Sequence, residues 1–369
     1  MLELTCIDDL DRFSVLRPEV DQFMAAHFPL DFARSHPWLV AWWAGYERSK
    51  RVMVYLARQK PTDELVAMVP LMVTRTTWGG FPVRKLELLG RGLGSENLPV
   101  RGPVGEVLDL ILADLARNAT WHVAQFTRVS DAELEGALAE RCGMKKLAIE
   151  SRETVNHLIQ LSGGFEQYLK GRSKSFRQNL RTARNRMERE GEISFHHELV
   201  QSIQDRGYSM AKEVASQSWQ YSEGTSHFTE NGGPCFFENL LRAGCGGLDF
   251  WLILLNGKPI ASLFGVRRDR RYFVVDVAFA GAHAKLSPGR LLYSHVIERV
   301  TADHGVDLVD LCGEGGYKKE YATETPPEST LTIYSRALYS LALRSIRRSG
   351  VYAWLGERLR GPVKHQDAP

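Results

Sequence analysis

Residues 284–290, with the sequence AKLSPGR, have the composition of an anion-binding helix start. Ser287 is a favourable N-cap and Pro288 suits the first helical position, so a helix should begin here with its first backbone N–H groups pointing outward. The helix dipole and these N–H groups favour phosphate at such a position. Gly289 leaves room for a ligand close to the backbone. The predicted phosphate-binding residues are Lys285, Ser287, Pro288, Gly289 and Arg290; the alternative is a well-capped core helix without a ligand.

A second segment, residues 311–321 (LCGEGGYKKEY), carries side chains suited to proton transfer. Three glycines after a predicted strand mark a loop that bends sharply or lets a ligand approach the backbone. Tyr317 is able to donate a proton and Glu314 to accept one, while Asp276 on an earlier strand is an alternative acceptor. Lys318 is able to bind an anion. Taken singly, each of these side chains also fits a structural or merely solvated role.

The elements that must position these segments follow one order in each half of the chain. In the second half, two β-rich runs flank Asn256–Gly257, a pair that supplies the positive φ angles of a tight hairpin. A strand, a helix from Pro288 to His304 and another strand follow. The first half repeats this order without obvious residue identity. The predicted strands are residues 51–58, 65–74, 85–89, 121–129, 250–255, 260–266, 271–280 and 306–311, and the first-half helix spans 106–116.

A strongly basic helix is predicted between the halves, at residues 170–190. Residues 169–191 hold eight Lys or Arg and two Glu. Phe176, Leu180, Ala183 and Met187 form one apolar stripe at helical spacing, arginines occupy most other positions, and Gly191 should end the helix. A second basic segment, residues 331–369, is predicted as a helical tail. In a chain whose net charge is only +3, two such segments favour an anionic partner: nucleic acid, a membrane surface or a phosphorylated ligand.

Composition excludes several classes of protein. With 369 residues, of which 44% are hydrophobic, the chain can form two cored domains and is neither disordered nor collagen-like. Its apolar runs are far shorter than the roughly 18 residues of a membrane span. Because the acidic N-terminus does not resemble a secretory signal, we expect a cytoplasmic protein. The five cysteines show no C-x-x-C spacing, so we predict no metal site.

The order of these motifs resembles the CelD-like acetyltransferase family of the GNAT N-acyltransferase superfamily, which is related to the FemAB peptidyltransferases. The resemblance covers roughly residues 30–330 and is carried by short motifs in a specific order. The motifs are Pro37–Trp43, Val69-Pro70-Leu71, Leu88-Leu89-Gly90, Ser173–Arg177 with Leu180-Arg181, the Ser287-Pro288-Gly289 helix start and Gly313–Lys318.

This resemblance implies an α/β (α+β) fold with two tandem GNAT-like domains, each a mixed, mostly antiparallel sheet flanked by helices. We place the domains at 1–160 and 161–330, followed by the basic tail at 331–369. The implied donor is acetyl-CoA or another acyl-CoA. The implied acceptor is an amine on a sugar, amino acid or related metabolite, as in exopolysaccharide or cell-envelope biosynthesis. One departure is that the superfamily's longer Gly-rich pyrophosphate loop is reduced here to residues 286–289.

The resemblance also implies direct transfer, in which a neutral amine attacks the thioester carbonyl. A base must take the proton of the amine, and an acid must protonate the leaving thiolate. We assign the acid to Tyr317 and the base to Asp276 or Glu314. Substrate binding is assigned to Lys318 and to Arg177 and Arg181 of the basic helix.

Three alternatives stay open. The first is a FemAB-type transferase that uses aminoacyl-tRNA, with the basic helix holding RNA phosphates; against it, that helix lacks the interleaved aromatic residues that stack on bare strands. The second is a binding protein that kept the fold and lost the chemistry. The third concerns the basic tail, which is either an interfacial membrane helix or a helix docked on the protein.

Overall fold

The computed structural model describes residues 1–46, 50–78, 80–90, 94–118, 120–230 and 233–348. The chain divides into two compact units. Among the described residues, the first unit holds Met1–Thr154 and residues 327–348, and the second holds Val155–Pro326. The second unit is therefore one continuous stretch of chain, whereas the first is assembled from two separate stretches.

In the part of the chain that the structure describes, the first unit begins with six strands and five α-helices. They are β1 (Leu2–Ile7), α1 (Leu10–Ser14), α2 (Arg17–His27), α3 (His36–Tyr46), β2 (Arg51–Gln59), β3 (Glu64–Trp78), β4 (Phe81–Leu88), α4 (Val104–Asn118), β5 (Val123–Val129), α5 (Ala132–Met144) and β6 (Ala148–Val155).

The second unit contains six strands and seven α-helices among its described residues. They are β7 (Leu158–Gln160), α6 (Gly164–Gly171), α7 (Lys174–Glu190), β8 (Ile193–Val200), α8 (Arg206–Ser216), α9 (Trp219–Ser222), α10 (Phe236–Arg242), β9 (Leu248–Leu255), β10 (Lys258–Arg268), β11 (Arg271–Phe279), α11 (Pro288–His304), β12 (Leu308–Asp310) and α12 (Lys318–Tyr321). A short 3-10 helix at Gly281–Leu286 precedes α11. The chain then returns to the first unit with β13 (Pro327–Tyr334) and α13 (Leu338–Arg348).

Each unit is built on one mixed sheet. The strand order is β1-β2-β3-β4-β5-β13-β6 in the first unit and β7-β12-β11-β10-β9-β8 in the second. Strands β4 and β5 are parallel, as are β11 and β12, and the other pairs with a described register are antiparallel. The predicted fold class, an α/β protein with two mostly antiparallel sheets flanked by helices, is confirmed.

Helices bury their apolar stripes on these sheets. In the first unit, Val107 and Ile111 of α4 lie in the core with Leu86 of β4. In the second unit, Leu292 and Val300 of α11 are fully buried in the core that also contains residues of β9, β10 and β11. Full burial of such a side chain stabilises the fold by about 1.5–3 kcal/mol. The apolar stripe is thus what fixes each helix on its sheet.

Local signals in the sequence place two elements of the second unit correctly. Asn256 and Gly257 have φ angles of 51° and 75° and join β9 to β10 in a tight turn. Helix α11 spans Pro288 to His304 as predicted, and Gly305, with a φ angle of 62°, caps its end. Both predictions are confirmed because proline and positive-φ residues act through the local backbone.

The basic helix and the tail differ from the sequence expectation. The basic helix begins at Lys174 instead of 170, because Ser173 caps it by accepting a hydrogen bond from the Phe176 N–H. Residues 331–334, predicted as part of the tail, belong to β13, a strand inside the first sheet. Of the predicted helical tail at 331–369, residues 349–369 lie outside the described residues.

Helix α13 places its arginines against the first unit. The Nε atoms of Arg344 and Arg348 lie 3.0 and 2.9 Å from the Glu150 carboxylate. Arg347 lies over the Trp78 ring. These are the contacts expected of a docked helix. Within the described residues, no helix is both long and apolar enough to cross a membrane.

The pH dependence of unfolding should report on His295 of α11, which stacks on Phe195 at a ring distance of 3.8 Å. Burial, followed by the nearby Arg299 and Arg184, lowers the pKa of His295 to about 4. Because the folded state disfavours the proton, its stability contribution is complete above about pH 6.5 and is lost as the pH falls toward 4. Between pH 7 and 4.5, the unfolding free energy of the wild type should fall. We expect His295→Phe to reduce this fall by up to about 2 kcal/mol.

Urea unfolding of both proteins at the two pH values measures this difference. Parallel pH dependence of wild type and His295→Phe would show that protonation of His295 does not oppose folding.

Candidate functional site

The parallel strands β11 and β12 separate after only three residue pairs. Their pairing runs from Arg271–Leu308 to Phe273–Asp310, yet β11 continues to Phe279 while β12 ends. In parallel α/β units, ligands bind beyond the carboxyl ends of the strands, where neighbouring strands diverge. The two segments whose residues suit anion binding and proton transfer are 284–290 and 311–321. They follow the carboxyl ends of these two strands. The topology therefore brings them to one edge of the sheet.

A buried polar network turns the chain away from β11 at the end of β12. One carboxylate oxygen of Asp310, Oδ1, accepts from the Cys312 N–H at 2.8 Å and from Asn156 Nδ2 at 3.1 Å. Asn156 in turn accepts from the Gly313 N–H at 2.8 Å. Cys312 and Gly313 have φ angles of 57° and 94°, which bend the loop sharply. The network thus holds open the gap between the two strands.

The start of α11 lies beside the end of β11, but Ser287 does not cap it as predicted. Ser287 has a φ angle of 54°, and its side chain makes no capping hydrogen bond. The reason is the left-handed backbone, which differs from the extended conformation that a side-chain N-cap adopts. A Cβ on Gly289 would lie 3.9 Å from the Phe279 ring and 4.0 Å from Val277. A large side chain at position 289 therefore meets the end of β11.

The two predicted cations at this helix start differ in their partners. Arg290 donates to Glu320 at 2.8 Å, and its side chain is only 12% exposed. Lys285 is exposed and forms no ion pair with the residues that the structure describes. Pro288 is buried between them as the first helical residue. Of the two side chains, Lys285 is the one available to a bound anion.

The three residues assigned to substrate binding have different environments. Arg177 donates to the carbonyls of Lys170 and Arg172, at the end of α6. Lys318 donates from Nζ to the Cys312 carbonyl at 3.1 Å. Arg181 is exposed on α7. The contacts of Arg177 and Lys318 support local backbone structure, so any substrate contact must be made in addition to them.

A tyrosine pair links α11 to the glycine loop. The Tyr317 hydroxyl lies 3.2 Å from the Tyr293 hydroxyl, and the Tyr293 ring also contacts Tyr321. The Tyr321 ring meets the Phe176 ring edge-on at 5.0 Å. This aromatic cluster anchors the loop against α11 and the start of α7. Tyr317 itself stays 39% exposed and is therefore accessible to a ligand.

A β-bulge turns Asp276 toward a histidine that the sequence analysis missed. Phe264 pairs with Asp276 but Gly265 pairs with Val274, so Val275 is an extra residue in β11. In a strand without the bulge, Asp276 would lie on the same face as Val274, which points into the core. Because of the bulge, Val277 takes that place on the core face, and Asp276 lies on the opposite face. There Asp276 lies near enough to His227 to influence its pKa. The His227 ring packs 5.1 and 5.5 Å from two phenylalanine rings of α10.

The electrostatics of this cluster suit proton transfer. Burial lowers the pKa of His227, while the Asp276 carboxylate opposes that shift. Burial raises the pKa of Tyr317; the hydrogen bond between Tyr317 and Tyr293 opposes this shift, and Asp276 reinforces it. At neutral pH the histidine is thus an uncharged proton acceptor and the tyrosine a protonated donor. Glu314, the other predicted base, is exposed and is not among the groups that shift the pKa of Tyr317 or His227.

The corresponding gap in the first unit is filled by its own chain. Strands β4 and β5 pair only from Lys85–Val123 to Leu86–Ala124. Beyond them, Glu96 is 2% exposed, accepts from the Thr127 N–H of β5 at 2.7 Å and donates from its own N–H to the Arg128 carbonyl. On the other side, the Pro99 carbonyl accepts from the Met68 N–H of β3. This segment occupies the place beside β3 and β5 that a ligand would need.

Comparison with known families and structures agrees with this geometry. Residues 174–321 match the family model described as an acetyltransferase (GNAT) domain. No curated protein is significantly similar to the sequence. The matched residues begin at α7 and include both segments at the strand gap, so this part of the chain is similar to GNAT acetyltransferases.

Several solved structures share the whole architecture. One is the C-terminal domain (DUF2156) of a putative lysylphosphatidylglycerol synthetase from Agrobacterium fabrum, with a TM-score of 0.55 and 13% identity over 91% of this chain and 95% of that chain. Another is FemX, with a TM-score of 0.52 and 10% identity over 86% of this chain and 95% of that chain. A third is a tandem GNAT protein from the clavulanic acid biosynthesis pathway, with a TM-score of 0.52 and 10% identity over 90% of this chain and 98% of that chain. At these identities the likeness shows the fold alone: a tandem GNAT-like fold.

Proposed function

We propose that this chain is an N-acyltransferase that moves an acyl group from acyl-CoA to a primary amine, with a single site in its second unit. The observation that carries the proposal is the gap between β11 and β12. The start of α11 lies beside the end of β11, and Tyr317 is held at Tyr293 of the same helix. Asp276 lies near enough to both His227 and Tyr317 to influence their pKa values. The match of residues 174–321 to a GNAT acetyltransferase domain supports the same chemistry.

The residues around the gap fit an acyl-CoA donor. Beyond Phe273, β11 is flanked by β10 and by no other described strand, although the Val277 carbonyl already accepts a hydrogen bond from Gln220 Nε2 at 2.9 Å. An extended ligand would bond to the backbone groups that Gln220 leaves free. The first N–H groups of α11 and the exposed Lys285 suit a pyrophosphate. When bound, the thioester supplies an acyl carbon activated toward attack by an amine. No group of three or more metal-binding side chains occurs among the described residues.

Two side chains carry out the two proton transfers, His227 as the base and Tyr317 as the acid. His227, uncharged at neutral pH, accepts the proton that the amine must lose, and the Asp276 carboxylate stabilises the imidazolium that forms. Tyr317 delivers a proton to the leaving sulfur, since its raised pKa keeps it protonated until then. The proton removed from the amine and the proton given to sulfur thus pass through different side chains. A carboxylate beside the acceptor position also favours an acceptor that arrives as a cation, such as an amino sugar or an amino acid.

An acetyl-CoA thermal shift tests this proposal. A ligand at a hundred times its Kd stabilises the folded state by about 2.7 kcal/mol, so the Tm of the wild type should rise by several degrees. We expect Gly289→Trp to abolish the shift, because its side chain would occupy the helix start beside Phe279. Gly136→Trp is a matched control, since Gly136 is an exposed glycine on α5 with open space around it.

The absence of a shift with acetyl-CoA and longer acyl-CoAs would contradict the proposal. A shift that survives Gly289→Trp would place the donor elsewhere. Steeply salt-dependent tRNA binding, with no acyl-CoA shift, would instead favour an aminoacyl-tRNA donor held by the exposed arginines of α7.

A further inference from the structure

A groove of about 590 Å³ lies on the first unit, beside the turn that joins β3 to β4. Its volume falls within the range of small-molecule sites. The groove is far along the strands from the filled gap of this unit, at the start of β4 and not at its end. The lining residues used below are Arg75, Pro82, Arg84, His122 and Tyr339, and none of the described lining residues is acidic.

Two arginines face each other across the floor of the groove. Arg75 of β3 and Arg84 of β4 are direct partners in the antiparallel register. Each lies two residues along its strand from a core residue, Arg75 from Val73 and Arg84 from Leu86, so all four side chains lie on one face of the sheet. Like charges in this position destabilise a sheet. Arg75 forms no hydrogen bond or ion pair within the described part of the chain, and Arg84 bonds only to His122 there.

His122 adds a hydrogen-bonding mismatch that an anion would resolve. Its Nδ1 lies 3.2 Å from the Arg84 backbone N–H, and its Nε2 lies 3.2 Å from the Arg84 guanidinium. Burial and the neighbouring Arg84 lower the pKa of His122, so the ring is neutral at pH 7. A neutral imidazole has one acceptor nitrogen only. In one of these two contacts, an N–H of His122 therefore faces an N–H of Arg84. An oxyanion placed between those two N–H groups would accept a hydrogen bond from each.

An aromatic wall adjoins these donors. The Tyr339 ring meets the His122 ring edge-on at 4.8 Å, and its hydroxyl is fixed by a 2.8 Å hydrogen bond to the Pro82 carbonyl. Because the hydroxyl is already bonded, Tyr339 offers its ring. It is 36% exposed and is therefore accessible to a planar apolar group.

We propose that this groove binds a small molecule in which a phosphate or carboxylate is attached to a planar apolar group. The oxyanion lies between Arg75 and Arg84 and accepts from the donor beside His122, and the planar group lies on Tyr339. The site is independent of the acyltransferase chemistry, because every residue that forms it belongs to the first unit.

Titration of the full chain with phenyl phosphate tests this proposal, with ¹³C-labelled histidine as the NMR probe. We expect saturable binding that shifts the His122 ring resonances. Arg84→Gln and Arg75→Gln should each weaken binding at least about tenfold, as expected for loss of a charge-assisted hydrogen bond. Arg12→Gln, at an exposed arginine of α1, should bind within twofold of the wild type. Benzoate and inorganic phosphate in parallel titrations distinguish a carboxylate ligand from a phosphate one and measure the contribution of the ring.

Stability supplies a second readout that a purely structural role would not give. Since Arg75 faces a like charge, Arg75→Gln should keep or raise the Tm while it weakens binding. Phenyl phosphate binding that leaves the His122 resonances unmoved, or that is unchanged in Arg84→Gln, would overturn the proposal. So would a fall in Tm for Arg75→Gln without any loss of binding.

Discussion

Tyr317→Phe is expected to lower kcat by about 10²- to 10⁴-fold while acetyl-CoA binds as in the wild type. The substitution keeps the ring that packs on Tyr293 and removes only the hydroxyl, which is protonated at neutral pH and is the proposed proton donor. Effects of this size are typical of a lost general acid. The measurement is CoA release with a panel of amino sugars and amino acids, together with a thermal shift for donor binding.

Tyr293→Phe is the matched comparison for this prediction. It removes the hydroxyl 3.2 Å from that of Tyr317 and leaves the proton donor in place, so its kcat should fall about tenfold or less. If Tyr317→Phe turns over like the wild type, Tyr317 is not the acid. If both variants lose activity equally, the pair acts as a structural unit and neither hydroxyl is singled out.

Asp310→Ala is expected to cost about 3–5 kcal/mol of unfolding free energy. The Asp310 side chain is 3% exposed and forms an ion pair with Arg271, which is itself only 26% exposed. Its removal leaves that guanidinium half-buried and leaves the Cys312 N–H without its acceptor. Removal of one partner from a buried pair has this magnitude. Urea or thermal unfolding measures it.

A neighbouring ion pair provides the control. Asp307 bonds to Arg270 at 2.7 Å, but the side chains are 39% and 64% exposed, so Asp307→Ala should cost less than about 1 kcal/mol. Equal losses for the two variants would contradict the role given to the buried network. We also expect Asp310→Ala to lower turnover, because the loop that carries Tyr317 depends on the same hydrogen bonds.

The parts of this site that could be predicted from the sequence are those with local causes. Pro288 and Gly305 set the ends of α11, and Asn256–Gly257 set a turn, because each acts on its own backbone. The expectation that Ser287 caps α11 was wrong because Ser287 also ends the short 3-10 helix at Gly281–Leu286, and it does so with a positive φ angle. That short helix was not predicted from the sequence.

The residues that were missed depend on distant parts of the chain. His227 lies in a loop without a motif, and it reaches Asp276 only because a bulge at Val275 reverses the face of the strand. Strand β13 completes the first sheet after nearly the whole second unit has intervened. One signal of the bulge is present in β11, where the every-second-residue pattern of core side chains is broken. Tyr272 and Val274 are followed on the core face by Val277 and not by residue 276.

The most direct test of the account is a calorimetric titration of the wild type with acetyl-CoA. The open gap in the second unit and the filled gap in the first predict one site per chain. Gly289→Trp should abolish the binding heat and Gly136→Trp should leave it unchanged. Two sites per chain in Arg84→Gln, which should weaken binding in the first-unit groove, or one site in that variant that persists when Gly289→Trp is added, would contradict the assignment of the donor to the gap between β11 and β12.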